Sequence, residues 1–334
     1  ILEMNESGFD NESFTFFGPM GMAFYDDGYA LEETFSVKFL ISFLLGINIV
    51  LSVIGNTCTC AVIARDRSMW NPTNSYLLNL AITDLMMTVF IPLEIYMIWI
   101  PNFYPLGEAG CRYHFAVLDV LSNCSVLTIL ALTVERYLVI SKPFHRQKLQ
   151  LNARVYKIVA VAWFIAIIFC IPDIFYVDLL ERKKYVYCYY TLPLKLRILM
   201  IIETIVLFVG PLIVIFVLYL LMGLKLKATR LKLRSSPVNN TNKDKAIMML
   251  GAVAGSFFFC WSPYCALRIM LIFPKFKYED YYDVWRILNY VCSVNGYMST
   301  AINPILYSLM SRKFRQAFKV SSNRTFLRKS RHTV

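Results

Sequence analysis

The sequence predicts an all-α membrane protein built as a bundle of seven transmembrane helices. Three observations carry that reading. Of 334 residues, 57% are hydrophobic and only 17% are charged, whereas soluble domains hold about a quarter charged. Seven apolar runs are each long enough to cross a bilayer, which takes about 20 residues as a helix. Lys and Arg gather in alternate connections between those runs.

Taken in order, residues 1–38 read as an extracellular tail. They hold eight acids against a single base, Lys38. Such a segment is expected to be disordered, and its charge could also attract a cationic ligand. Asn5 and Asn11 each open an Asn-Glu-Ser glycosylation acceptor; such tripeptides also arise by chance. No leader pattern stands out, so the first span is expected to serve as the insertion signal, and the Ile1 start reads as an incomplete N-terminus. The bundle occupies 39–310, with spans near 39–64, 74–99, 111–141, 155–177, 196–224, 246–273 and 284–309. The third has 31 residues, roughly 46 Å as a helix. That exceeds a ~30 Å hydrocarbon core, so it is expected to tilt and protrude. Nothing shows the ten-residue alternation of a barrel strand, and helices then satisfy the backbone in lipid.

Orientation follows from charge. One set of loops together with the 311–334 tail holds 22 of the 34 basic residues. The positive-inside rule puts the C-terminus in the cytosol and the N-terminus outside, with Arg182, Lys183 and Lys184 as a local exception. The net charge of +12 is therefore an orientation signal rather than a nucleic-acid footprint. Most of the nine cysteines lie within spans, where they act as small apolar packing residues. Cys111 and Cys188 lie outside, in an oxidising compartment, and are expected to form a disulfide. The three His residues are scattered without zinc spacing.

Polar groups inside lipid are costly and point to function. They are Asn56 in span one, Asp84 in two, Ser125 in three and Asn303 in seven. Pro172, Pro211, Pro263 and Pro304 lie within or near the ends of spans, where each frees a carbonyl and bends the rod. Glu135 and Arg136 end the third apolar run, a full pair of charges at its edge.

Together these residues form a series: Gly-Asn in span one, Leu-Ala-x-x-Asp in two, and Cys111 followed by Glu-Arg-Tyr in three. Trp163 in four, Pro211 and Tyr219 in five, Cys-Trp-x-Pro in six and Asn-Pro-x-x-Tyr in seven complete it. The series resembles the rhodopsin-like G-protein-coupled receptors over about residues 37–320. The resemblance implies a plasma-membrane receptor that activates a heterotrimeric G protein. Arrestin, receptor kinases and membrane lipid are further expected partners. Glu135, Arg136 and Tyr137 then match the cytosolic switch, with Tyr219 and Tyr307 closing on the arginine. Phe257, Trp261 and Pro263 match the relay in span six, and Asn303 and Pro304 belong to the seventh-span motif. Many relatives carry an acid at the foot of span six; here Lys243 stands there, which puts that second lock in doubt. Asp84, Ser125, Asn303 and Asn56 match a sodium site; a water-filled hydrogen-bond network is the alternative. "SRKFRQAFKV" resembles the short amphipathic helix after the seventh span.

The ligand class also follows from the resemblance. Tyr297 stands where opsins carry the retinal lysine, and Leu118 where amine receptors carry an acid. The pattern is similar to the neuromedin U and pyrokinin group of neuropeptide receptors, near the ghrelin receptors. That implies a short C-terminally amidated peptide containing arginine. Glu94 and Asp119 are expected to face each other and share a guanidinium. Arg268 would take an acidic or carbonyl group, with Tyr264, Arg286 and Tyr290 completing the contacts. A salt-bridge network among Glu94, Asp119 and Arg268 is the competing reading. A transporter would want inverted repeats and an enzyme a nucleophile with its base; neither is visible, and no cofactor is expected beyond the sodium ion.

Overall fold

The computed structural model describes residues 15–16, 25–26, 29–30, 33–141, 152–182, 185–191, 193–232, 237–272 and 282–310. Span one is the helix Phe35–Arg65. Span two follows as Pro72–Thr88 and Ile91–Trp99, and span three as Gly107–Ser141. Span four is Asn152–Tyr176. Span five runs Leu194–Glu203, a wide π turn at Thr204–Val209, and Gly210–Lys232. Span six is Pro237–Ile272 and span seven Tyr282–Met310. Six of these rods are long and apolar enough to cross a membrane. The seventh is more polar because it buries Asn289, Ser293, Ser299, Thr300 and Asn303.

Local sequence explains the breaks. Asn71 caps span two by accepting the Asn74 N–H at 3.1 Å, and Pro72 occupies the first helical turn. Pro92 has no N–H to offer the Thr88 carbonyl. The chain tightens there, and the Val89 and Phe90 amides reach back three residues to Met86 and Met87. Pro211 likewise leaves the Leu207 carbonyl without its usual donor. The preceding turn widens, so that the Gly210 N–H bonds Ile205 five residues back.

Packing is inverted relative to a soluble bundle. Phe164, Phe175, Phe216 and Phe259 stand exposed on the outer faces, as lipid-facing residues do. The interior holds hydrogen-bonded polar groups beside an apolar core that includes Leu45, Leu80 and Leu121. Ser52 and Thr88 hydroxyls meet at 2.6 Å. The Trp163 indole donates to Asn79 at 3.1 Å, and Asn79 donates to Thr128 at 2.9 Å. Small residues let backbones approach: a Cβ on Gly55 would lie 2.5 Å from Pro304 Cγ.

The all-α bundle carries one addition between its spans. Val177–Arg182 and Tyr185–Thr191 form an antiparallel hairpin after span four. Thr15 and Phe16 pair with Thr191 and Tyr190 at its edge, and Tyr25–Asp26 pairs with Tyr29–Ala30. The Cys111–Cys188 disulfide ties the hairpin to the start of span three. Asn5, Asn11 and the 311–334 segment lie outside the described residues.

The contact between spans one and seven can be tested. Gly55→Ala should lower the thermal unfolding midpoint of the purified protein, at a cost of about 1–3 kcal/mol from overpacking. An unchanged midpoint would show that Pro304 yields without cost.

Candidate functional site

Two polar clusters lie toward the hairpin end of the bundle. The first centres on Glu94, at 1% exposure. Tyr297 donates its hydroxyl to Glu94 Oε1 at 3.2 Å. His114 Nε2 lies 3.8 Å from the same oxygen. The His114 ring stacks between Phe90 and Phe115, both at 5.2 Å, and its Nδ1 meets the Tyr104 hydroxyl at 3.2 Å. Burial, with the Glu94 carboxylate beside it, pushes the Tyr104 phenol well above its ordinary range. Glu94 Oε2 and His114 Nε2 have no hydrogen-bond partner among the described residues.

The second cluster draws on spans three to six. Arg268 pairs with Glu203. Asn123 donates to the other Glu203 oxygen at 2.7 Å. The Arg268 guanidinium also lies 5.9 Å from the Tyr264 ring centroid. Tyr264 donates to Asp119 at 3.4 Å, and Asp119 lies within hydrogen-bond reach of Asp173. A cleft opens here, lined among others by Asp119, Asn123, Glu203, Trp261, Tyr264 and Arg268.

Glu94 and Asp119, expected to share a guanidinium, take separate protein partners: Tyr297 for Glu94 and Tyr264 for Asp119. The tight turn before Pro92 re-aims Glu94, so helical phase counted from Asp84 does not carry over. Arg268 forms its ion pair with Glu203, and its guanidinium also acts electrostatically on Asp119. Tyr290 is half-buried against the core. The side chain of Arg286 lies outside the described residues. Glu203, Asp173, Asn123 and His114 were missed. The signal for two of them was a lone acid in apolar sequence, in "LMIIETIVLF" and "CIPDIF".

Below the cleft, Trp261 stacks on Phe257 at 5.8 Å and donates to Ser299 at 3.3 Å. Pro263 lies within span six two residues on. Deeper still, Asn303 donates to Asp84 at 2.9 Å. Ser125 meets Thr83 at 3.1 Å, one residue before Asp84. Asn56 donates to the Thr300 carbonyl at 2.9 Å, and its Oδ1 is buried without a hydrogen-bond partner among the described residues. So Asp84 and Asn303 meet directly, while Ser125 and Asn56 use other protein partners. Pro304 packs on Gly55.

At the far end, Glu135 is 2% exposed. It lies within electrostatic reach of Arg136 and Arg154, with Tyr76 beside it. Tyr137 is half-buried. Tyr219 reaches Thr133 and faces Arg136, whereas Tyr307 is buried in the core nearer Asp84. The two tyrosines expected to close on the arginine are thus at different depths.

Comparison with known proteins gives a consistent set of likenesses. The family described as 7 transmembrane receptor (rhodopsin family) matches residues 55–307. The chain is 31% identical to neuromedin-U receptor 2 of Rattus norvegicus, over 85% of this chain and 74% of that one. It is 30% identical to the pyrokinin-1 receptor of Drosophila melanogaster, over 88% of this chain and 80% of that one. Neuromedin-U receptor 1 of Mus musculus is 30% identical, over 84% and 71% respectively.

Removing one partner of a buried ion pair leaves the other charge without compensation. Glu203→Ala should therefore cost about 3–5 kcal/mol of stability, read as a lower thermal unfolding midpoint. The double variant Glu203→Leu with Arg268→Met should recover most of that loss.

Proposed function

We infer that this chain, which belongs to the rhodopsin family of seven-transmembrane receptors, is a G-protein-coupled receptor for a neuropeptide. The named relatives, receptors for neuromedin U and a pyrokinin, support the ligand class. The ligand is a short, C-terminally amidated peptide carrying arginine, bound from outside the plasma membrane. The observation that carries this is the cleft between spans three, five and six, whose walls bear Asp119, Glu203 and Arg268. Buried acids in such a place favour a cation, and a guanidinium can bond two oxygens at once. Glu94 offers a second acid with one oxygen to spare. Arg268 and Tyr264 shape the same wall.

The peptide favours one bundle shape over another, and its differential affinity sets how far the equilibrium moves. Trp261 and Phe257 form the floor between the cleft and the rest of span six. Pro263 supplies the bend about which the lower part of that span swings. Roughly 37 Å from Cys111 along span three, by helical rise, Glu135 sits beside Arg136. Freeing that arginine at the cytosolic mouth admits the G protein, and Tyr219 and Tyr307 then move toward it.

Sodium binding is a further element of this reading. Asp84 is a buried carboxylate whose protein partner is the neutral Asn303 amide. The partnerless Asn56 Oδ1 and the Ser125 hydroxyl supply the oxygen chemistry that suits a hard cation. Bound there, the ion would hold the resting shape by neutralising Asp84.

The experiment is a panel of amidated arginine-containing peptides on cells expressing the chain, read by GTP exchange on the G protein. Glu94→Gln and Asp119→Asn should each lower potency about tenfold or more, the loss of one charged hydrogen bond. The ligand reading fails if both keep wild-type potency. Independently, Glu135→Gln should raise exchange without peptide, because the negative partner of Arg136 is gone. Unchanged basal exchange would remove Glu135 from the switch.

A further inference from the structure

Four ionisable side chains from four spans meet beside the cleft: Asp119, Asp173, Glu203 and Arg268. None is more than 7% exposed. Arg268 is committed to Glu203, and Asn123 closes on the other Glu203 oxygen at 2.7 Å. The same guanidinium acts electrostatically on Asp119 and Asp173, but among the described residues its ion pair is with Glu203 alone. Their carboxyl groups lie within hydrogen-bond reach of each other. Tyr264 donates to Asp119 at 3.4 Å, and Cys170 is the other titratable group facing the pair from span four. Asp173 Oδ2 is buried with no hydrogen-bond partner among the described residues.

This arrangement is costly for a bundle bounded by lipid. A shared proton can bridge two carboxyls in contact, yet no N–H or O–H donor among the described residues reaches Asp173 Oδ2. Packing does not call for an acid there, since an amide of equal size fills the same space. A planar guanidinium would fit, because its forked donors can bond one oxygen on each carboxyl. Asp119 lines the cleft and Asp173 stands against it, so a group entering the cleft meets Asp119 first.

We propose that Asp173 is a ligand-contacting residue, forming with Asp119 a deep subsite that takes one guanidinium group of the ligand. The proposal rests on the cationic-peptide reading above and adds span four to it. Glu203 is not a third arm of the subsite; it holds Arg268 in place and keeps that guanidinium from occupying the subsite itself.

The test uses the full chain purified in detergent, with arginine amide as probe and citrulline amide as its uncharged counterpart. Arginine amide should raise the thermal unfolding midpoint of the wild type, and citrulline amide should not. Asp173→Asn should raise the midpoint of the probe-free protein, because a buried acid in contact with another acid is removed. It should also weaken arginine amide about tenfold or more. A merely structural Asp173 would lower the probe-free midpoint instead, and that outcome overturns the proposal. So does an equal arginine-amide response in both proteins, or none in the wild type. If Asp173→Asn fails to fold, Asp173→Ser replaces it; failure of both marks the residue as structural and also overturns the proposal. Should Asp173→Asn keep wild-type potency toward the amidated peptides, this subsite is wrong and the receptor reading stands. Should no peptide act on the wild type, the receptor's ligand class is what fails.

Discussion

A charge or amide placed in hydrocarbon has no water to turn to, so each must find its partner inside the bundle. That constraint organises this molecule more than any apolar contact does. Asp84, Asp119, Asp173, Glu203 and Arg268 are all buried between spans, while Phe164, Phe216 and Phe259 face outward. Partners are mostly found across spans: Asn303 for Asp84, Tyr297 for Glu94, Arg268 for Glu203. Each such bond sets how two helices lie against each other. Breaking one frees two rods to shift and leaves a buried group exposed to the penalty it had avoided. Polar pairs in lipid are therefore well suited to hold alternative shapes apart, since a ligand that supplies a better partner changes which shape is favoured.

Much of this was legible in the sequence. Spans read from apolar runs because twenty residues of hydrocarbon-compatible helix are hard to produce by chance. Glu135 beside Arg136 and Asn303 in its seventh-span motif could be placed from the same text. The disulfide between Cys111 and Cys188 followed from two cysteines lying outside the spans. Legibility ended where the helix stopped being regular. Glu94 was placed from its position near the outer end of span two, yet the tight turn ahead of Pro92 resets its phase relative to Asp84. Glu203 sits just before a π turn that changes its phase relative to Pro211. One residue of slip in a helix is a quarter of a turn, enough to give an acid a different neighbour. The hairpin after span four escaped for another reason: its strands are short, and its charges read simply as loop.

The irregularities lie where the clusters form. The tightened turn in span two adjoins the Glu94 cluster, and the π turn in span five adjoins Glu203 and the cleft. Regular helices packed side by side leave little room between them. A proline that removes one backbone donor makes the local path adjustable, at a cost the neighbouring spans absorb. Widened and tightened turns thus open space near the hairpin end while the middle of the bundle stays close-packed, as at Gly55 against Pro304.

Span six joins the two ends physically. Arg268, Tyr264, Trp261 and Phe257 follow one another down its length, spaced three to four residues apart and so on one face. The first is tied to span five through Glu203, the second to span three through Asp119, the third to span seven through Ser299. A rod held at three heights by three different neighbours cannot rotate until some of those ties exchange. A guanidinium arriving at Asp119 would compete with the Tyr264 hydroxyl for the same carboxylate. Losing that tie releases the stretch just below Arg268, next to Pro263, where the helix already lacks one backbone hydrogen bond. The lower half of span six would then be the part free to move, while Glu203 keeps the upper half in place.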